Sequence, residues 1–133
     1  IKKIMRNHFL AFKLAVLSCL IPISASAQTS FVIFGDSLSD NGNAFRVTGG
    51  LVPPSPPYFE GRFSNGIVWV ESLSSSLNLT QTTSNLAFGG ATSGTANTIT
   101  PLLPGVSTQI SGFLQTSPQG NRDRLFSIWA GAN

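Results

Sequence analysis

The sequence contains very few of the side chains that bind metal ions or form disulfides. It has one cysteine, Cys19, and one histidine, His8, and both precede residue 28. Residues 28–133 therefore offer no disulfide and no cluster of histidine and cysteine ligands. Charged residues are also sparse, at 10% of the chain. These absences exclude a disulfide-stapled scaffold and a metal site built from histidine and cysteine.

The N-terminal segment has the three parts of a secretory signal peptide. Scattered positive charge comes first, an apolar run follows at 14–23, and Ala-Ser-Ala at 25–27 supplies the small residues of a cleavage site. The apolar run is shorter than the roughly 20 residues that span a membrane. We therefore expect residues 1–27 to export the protein to the periplasm, the cell surface or the medium. An uncleaved anchor or a buried N-terminal helix is the alternative.

The positive net charge of the chain belongs to this N-terminal segment. Four of the eight lysine and arginine residues precede residue 28, which leaves four arginines against five acidic residues and a net charge of −1. A basic surface that would attract the phosphate backbone is therefore excluded from residues 28–133, and we expect no nucleic-acid partner.

After the signal segment, strand and helix patterns alternate along the chain. Apolar segments rich in β-branched and aromatic residues predict strands at 31–34, 82–88 and 125–130. Apolar residues at helical spacing predict helices at about 68–79 and at 106–114. Paired glycines and prolines predict a long irregular loop across 42–66. This order predicts a parallel α/β sheet with covering helices.

The ends of the three predicted strands carry the candidate functional residues, because ligands of parallel α/β sheets bind beyond the carboxyl ends of the strands. Ser37 follows the first strand, Gly90 the second and Asn133 the third. A serine at such a place is a candidate nucleophile that needs a neighbouring base, usually a histidine held by a carboxylate. The backbone N–H groups of Ser37 and Gly90 and the Asn133 amide are candidate donors for a developing oxyanion.

Each of these residues also has an ordinary structural interpretation. On local sequence alone, Ser37 is more typical of a helix N-cap that follows a turn at Asp36. The glycine pair at 89–90 is typical of a simple turn. The ordinary interpretation of Asn133 is a chain end whose side chain has no functional role. Their placement at three successive strand ends is what favours a site.

Four segments resemble the conserved blocks of the GDSL (SGNH) hydrolases, and they occur in the family's order. Residues 31–43, FVIFGDSLSDNGN, resemble the first block. Residues 61–71, GRFSNGIVWVE, resemble the stretch that follows it in the lipase and esterase branch with secreted bacterial and plant-like members. Residues 85–93, NLAFGGATS, and 126–133, FSIWAGAN, resemble the next two blocks. The resemblance covers nearly all of residues 31–133.

The resemblance implies a flavodoxin-like α/β three-layer sandwich with a parallel sheet. It implies Ser37 as the nucleophile, and an oxyanion hole made by Ser37, Gly90 and Asn133. The implied chemistry is acyl transfer from a carboxylic ester to Ser37, followed by hydrolysis of the acyl-enzyme, with no metal and no other cofactor. The expected partner is a small-molecule or lipid ester, and a lipid ester implies transient contact with a membrane or lipid surface. Nothing in the sequence indicates an oligomeric state.

The catalytic histidine and aspartate of the family lie in an Asp-x-x-His block that no residue of this chain matches. His8 lies in the expected signal peptide and is not a candidate. We therefore expect residues 28–133 to be the N-terminal portion of a truncated domain, inactive alone, from an exported ester hydrolase. The alternatives are a catalytically inactive domain that binds lipid or carbohydrate, and a gene remnant. The class of ester is not indicated.

Overall fold

A computed structural model describes residues 30–117 and 123–133. The signal peptide predicted for residues 1–27 lies outside the described residues. The strands and helices of the described chain follow one another in the order β1 (Ser30–Gly35), α1 (Asn43–Val47), α2 (Trp69–Ser76), β2 (Thr83–Asn85), α3 (Val106–Thr116) and β3 (Arg124–Trp129). A short 3₁₀ helix, Thr80–Thr82, leads into β2.

The three strands form one parallel sheet with β1 in the middle. The order is β2-β1-β3, and the pairing of β1 with β3 runs from Ser30 opposite Arg124 to Gly35 opposite Trp129. The chain thus passes from β1 to β2 on one side and then to β3 on the other side. Such a reversal of strand order opens a crevice at the carboxyl ends of the two neighbouring strands, where ligands of open α/β sheets bind.

The side chains of β1 contribute to a separate core on each face of the sheet, because successive residues of a strand point to opposite faces. Phe31 and Ile33 pack with Val70 of α2, whereas Val32 and Phe34 pack with Val106 of α3. All four β1 residues are 3% exposed or less. Burial on both faces explains why the strand is a continuous apolar run in the sequence. The helices α2 and α3 therefore form the outer layers of a three-layer α/β sandwich, as predicted.

The predicted loop across 42–66 is wrong at its beginning, where α1 forms. The predicted strand at 82–88 is shorter in the structure, where β2 ends at Asn85. Its alignment with β1 nevertheless continues, because Leu86 N–H donates to Ile33 O at 2.8 Å and Phe88 N–H donates to Gly35 O at 3.1 Å. This extension carries the chain to the sheet edge where Gly35 ends β1.

The helix predicted for about 68–79 ends at Ser76, through a Schellman motif. Asn78 has a φ of 57°, a left-handed conformation that asparagine adopts more readily than most residues. Its N–H donates to Ser75 O at 3.0 Å, and Leu79 N–H donates to Ser74 O at 2.9 Å. Leu79 is buried in the core beneath α2, so the chain turns back toward β2.

Across 30–117 and 123–133, none of the helices has the length and apolar character that crossing a bilayer requires.

Candidate active site

The turn after β1 places Ser37 at the carboxyl edge of the sheet. The carbonyl oxygen of Asp36 accepts the N–H groups of Ser39 at 3.1 Å and of Asp40 at 3.0 Å. The Asp36 carboxylate Oδ1 accepts the Leu38 N–H at 3.1 Å. These bonds close a tight turn directly after the strand, with Ser37 half-buried at its beginning.

The helix-capping interpretation of Ser37 is wrong. The first helix after β1 begins at Asn43, and its N-cap is Gly42. Ser37 therefore caps no helix of the described chain. Its hydroxyl forms no hydrogen bond with another described residue.

The second predicted strand end, the glycine pair 89–90, lies beside this turn. Gly89 N–H donates to the carboxylate Oδ2 of Asp40 at 2.8 Å, across 49 residues of sequence. Gly90 has a φ of +74°, and a Cβ built there would lie 2.8 Å from Asn97 Oδ1. Glycine is the residue that adopts this conformation without strain. The pair is thus a turn, as one interpretation predicted, but a turn anchored to the segment that carries Ser37.

The Asp40 carboxylate is the centre of this anchoring and was not among the predicted site residues. It is fully buried, and its Oδ1 accepts Gly42 N–H at 2.8 Å and Asn43 N–H at 2.5 Å. Its Oδ2 accepts Ala44 N–H at 3.1 Å in addition to Gly89 N–H. Burial raises the pKa of Asp40 above its ordinary value, and the four N–H groups oppose that rise. Each oxygen already accepts two N–H groups, so the ionised carboxylate is the form that fits these donors.

The third strand end brings Asn133 next to the glycine pair. Asn133 Nδ2 donates to the carbonyl oxygen of Ala91 at 3.2 Å, and Ala91 directly follows Gly90. Trp129, the last residue of β3, lies opposite Gly35 at the end of β1. The structure therefore brings the three predicted strand ends to one edge of the sheet.

The N–H groups expected to bind an oxyanion have no acceptor within the described chain. Ser37 N–H and Gly90 N–H form no hydrogen bond with another described residue, whereas their neighbours Leu38 and Ala91 both donate. The Asn133 amide has two N–H groups, and one donates to Ala91 O. Buried backbone N–H groups are nearly always paired, and Gly90 is buried. These donors are free to bind the oxygen of a ligand.

Gln109 of α3 supports the end of β1 and was also missed from the sequence. Its Oε1 accepts Gly35 N–H at 3.0 Å, and its Nε2 donates to Gly35 O at 2.9 Å. The side chain is buried. Gln109 is a polar residue within the apolar stripe of α3, and this position was the signal in the sequence that could have indicated its role.

In the described part of the chain, no three His, Cys, Asp or Glu side chains lie together in a way that could hold a metal ion.

A parallel α/β sheet with serine, glycine and asparagine at three neighbouring strand ends is the arrangement expected of the GDSL hydrolases. Comparison with known proteins agrees, because the family model described as GDSL-like lipase/acylhydrolase matches residues 31–133. The chain belongs to this GDSL lipase/acylhydrolase family, and its fold is that of the SGNH hydrolases. The resemblance and the fold class inferred from the sequence are therefore confirmed.

Three proteins show similarity to this chain over part of their length. A phosphatidylcholine-sterol acyltransferase of Aeromonas hydrophila is 39% identical over 115 residues, which cover 83% of this chain and 34% of that protein. The secreted effector protein SseJ of Salmonella typhimurium is 47% identical over 72 residues, 53% of this chain and 18% of that protein. A thermolabile hemolysin of Vibrio parahaemolyticus is 42% identical over 83 residues, which cover 62% of this chain and 19% of that protein. The chain thus spans about a third or less of each relative.

Proposed function

We propose that this chain carries the nucleophile and the oxyanion-binding groups of an exported enzyme that acts on carboxylic esters. The observation that supports this most is the group of free donors at the sheet edge. Ser37 N–H and Gly90 N–H have no acceptor among the described residues, and the Asn133 amide donates to the carbonyl oxygen of Ala91, the residue after Gly90. Donors placed in advance of the reaction stabilise the charge that develops on an ester carbonyl oxygen.

The proposed reaction begins with attack of Ser37 Oγ on the carbonyl carbon of the ester. As the new C–O bond forms, the electron pair of the carbonyl π bond moves to its oxygen, and a base removes the hydroxyl proton. The oxyanion accepts hydrogen bonds from Ser37 N–H, Gly90 N–H and the Asn133 amide. Collapse of this intermediate expels the alcohol, which takes the proton. Attack by water then releases the carboxylic acid and restores the serine.

The base in this proposal is not a residue of the described chain. The sequence has no histidine after His8, and we infer that a histidine and an aspartate of the family's Asp-x-x-His block, located elsewhere in the whole protein, supply it. A serine without a base is a weak nucleophile, so residues 28–133 alone are proposed to be inactive.

The substrate class proposed for the whole protein is a lipid ester. Two relatives carry names that point to lipid or membrane action, a phosphatidylcholine-sterol acyltransferase and a hemolysin. The first name also indicates that an alcohol can replace water as the acyl acceptor, so hydrolysis and transfer share the same acyl-enzyme. Export is supported by the predicted signal peptide of residues 1–27 and by a relative that is named a secreted effector. A lipid substrate would place the enzyme in transient contact with a lipid surface.

The test uses the full-length protein that contains this chain. A fluorophosphonate probe reacts rapidly only with an activated serine, so we expect labelling at Ser37 and turnover of p-nitrophenyl esters. Both should disappear in Ser37→Ala with an unchanged melting temperature. A folded wild-type protein that is neither labelled nor active would contradict the proposal and favour a domain that only binds lipid or carbohydrate.

A further inference from the structure

The peptide group that joins Gly89 to Gly90 is held by a side chain that lies outside the predicted site. Asn97 Nδ2 donates to Gly89 O at 2.8 Å, and Asn97 Oδ1 accepts Ile99 N–H at 2.9 Å. The second bond fixes the orientation of the amide, so the donor faces the Gly89 carbonyl. In a trans peptide the C=O and the N–H point in opposite directions. Asn97 therefore determines the direction of Gly90 N–H, one of the donors without an acceptor.

The other side of Gly89 is fixed independently. Gly89 N–H donates to the buried Asp40 carboxylate at 2.8 Å, and Asp40 N–H donates to Asp36 O in the turn that carries Ser37. Both polar backbone groups of Gly89 are thus held, the N–H by Asp40 and the C=O by Asn97. The first bond sets where the glycine pair lies relative to Ser37, and the second sets how the following N–H is directed.

The next peptide group along the chain provides a contrast. Gly90 O accepts the Thr98 N–H at 2.8 Å and the Thr98 hydroxyl at 3.1 Å. The N–H of that peptide belongs to Ala91 and donates to Phe88 O at 3.1 Å. Thr98 therefore stabilises the same loop as Asn97, but the peptide that it holds has no free donor to direct.

We propose that Asn97 is a positioning residue of the oxyanion hole, which directs Gly90 N–H toward the carbonyl oxygen of an ester attacked by Ser37. This inference rests on the proposed function. Asn97 touches neither the substrate nor the reacting atoms in this proposal. It acts through the Gly89 carbonyl, which lies 2.8 Å from Nδ2, whereas the other acceptor of Nδ2, Pro104 O, is more distant at 3.4 Å. A displacement of about 1 Å in a catalytic group can lower a rate about a hundredfold. The effect of losing Asn97 should therefore appear in kcat more than in substrate binding.

The test compares Asn97→Asp with Thr98→Val in the full-length protein. Aspartate keeps the size of asparagine but replaces the amide donor by an acceptor oxygen, which cannot bond Gly89 O. We expect kcat of Asn97→Asp to fall about 10- to 100-fold, below the effect of removing an oxyanion donor outright, with KM nearly unchanged. Thr98→Val loses a hydrogen bond in the same loop and should keep the wild-type kcat.

An inhibitor that mimics the charged intermediate separates positioning from general loop damage. A trifluoromethyl ketone forms a tetrahedral, oxyanion-bearing adduct with a serine, so its affinity should fall in Asn97→Asp by the same factor as kcat. An ether analogue of the substrate, which has no such oxygen, should bind both proteins equally. If Asn97→Asp does not fold, Asn97→Ala, which removes the donor without adding charge, is measured instead with the same expected pattern.

The outcomes separate this inference from the function on which it rests. Wild-type kcat in a folded Asn97→Asp or Asn97→Ala would overturn the role of Asn97, and so would an equal loss of kcat in Thr98→Val. In either case Ser37→Ala would still abolish turnover. Retention of turnover by Ser37→Ala would instead overturn the proposed function.

Discussion

At the residue scale, Gly90 is subject to a conformational and a steric requirement at once. Its φ of +74° lies in the left-handed region, and a Cβ there would come within 2.8 Å of Asn97 Oδ1 and of Ile99 Cγ1. A residue with a side chain would be strained by its backbone conformation and would also displace the side chain that orients the Gly89 carbonyl. The glycine is therefore needed for the shape of the turn and for the direction of its N–H.

Replacing Gly90 by alanine tests whether the glycine is needed both for the stability of the turn and for catalysis. We expect the strain of a non-glycine residue in this conformation to lower the free energy of unfolding by about 1–3 kcal/mol. Displacement of the N–H donor should lower kcat about 10²- to 10³-fold. Gly49→Ala is the matched control, since Gly49 has a φ of +67° with no atom within 4 Å of a built Cβ. Gly49→Ala should lose stability through the backbone conformation alone and keep kcat, and a Gly90→Ala enzyme with normal kcat would contradict the assignment.

At the element scale, the beginning of α2 is fixed by a half-buried carboxylate. Glu71, the third residue of the helix, accepts Val68 N–H at 3.0 Å. It also accepts two hydrogen bonds from the Arg62 guanidinium, at 2.8 and 3.3 Å. The ion pair between Arg62 and Glu71 therefore joins the two ends of the segment 61–71. This segment is the last part of the long connection between α1 and α2 and includes the beginning of α2. Glu60, the other partner of Arg62 at 3.2 Å, is 69% exposed in its side chain.

Because Glu71 has a shifted pKa, the stability that its hydrogen bonds and its ion pair with Arg62 contribute depends on pH. Burial alone would raise the pKa, but the hydrogen bonds from Arg62 and Val68 N–H lower it below its ordinary value of 4.5. A carboxyl group whose pKa is lowered by folding stabilises the folded protein at pH values above its pKa in the unfolded chain. This stabilisation is lost as the pH falls through its pKa in the folded protein. Glu71→Gln should therefore lower the free energy of unfolding by about 1–3 kcal/mol at pH 7. The difference from wild type should shrink progressively below pH about 4.5, as the linkage between proton binding and folding requires.

Urea unfolding of the full-length protein at pH 7, 5 and 3.5 measures this difference. Glu60→Gln removes the exposed carboxylate from the same arginine, and exposed ion pairs contribute little. We expect it to remain within about 0.5 kcal/mol of wild type at each pH. A Glu71→Gln deficit as large at pH 3.5 as at pH 7 would show that the charge of Glu71 is not what stabilises the segment.

The elements and the strand ends could be predicted from sequence because they depend on local patterns. Apolar runs and helical stripes indicated three strands and two helices, and the strand ends indicated where Ser37, Gly90 and Asn133 lie. The helix α1 was missed because its first N–H groups are bound by Asp40, a buried carboxylate whose position depends on tertiary contacts. Asn97 was missed for a related reason, since no local pattern shows that its amide would face the Gly89 carbonyl.

At the scale of the whole molecule, the edge strand β3 differs from the central strand β1 in exposure. Phe126, Ile128 and Trp129 of β3 are 50%, 59% and 49% exposed, whereas residues 31–34 of β1 are 3% exposed or less. Within the described residues β3 pairs with a strand on one side only. Parallel strands are normally covered on both faces, and an open apolar edge promotes association with other chains. The described sheet therefore has a buried centre and, at β3, an apolar border that is unpaired within the described residues.

This border leads to a prediction for residues 28–133 produced alone. We expect no sharp cooperative melt, because much of the apolar surface of β3 stays in contact with water and contributes little to stability. We also expect concentration-dependent association, measured by light scattering at micromolar protein, and binding of a dye that detects exposed apolar surface. Ile128→Lys should reduce the association, because a charge on an exposed edge opposes pairing between chains, but it should not restore a melt. A monomeric segment with a cooperative transition would show that the two cores around β1 are sufficient for folding.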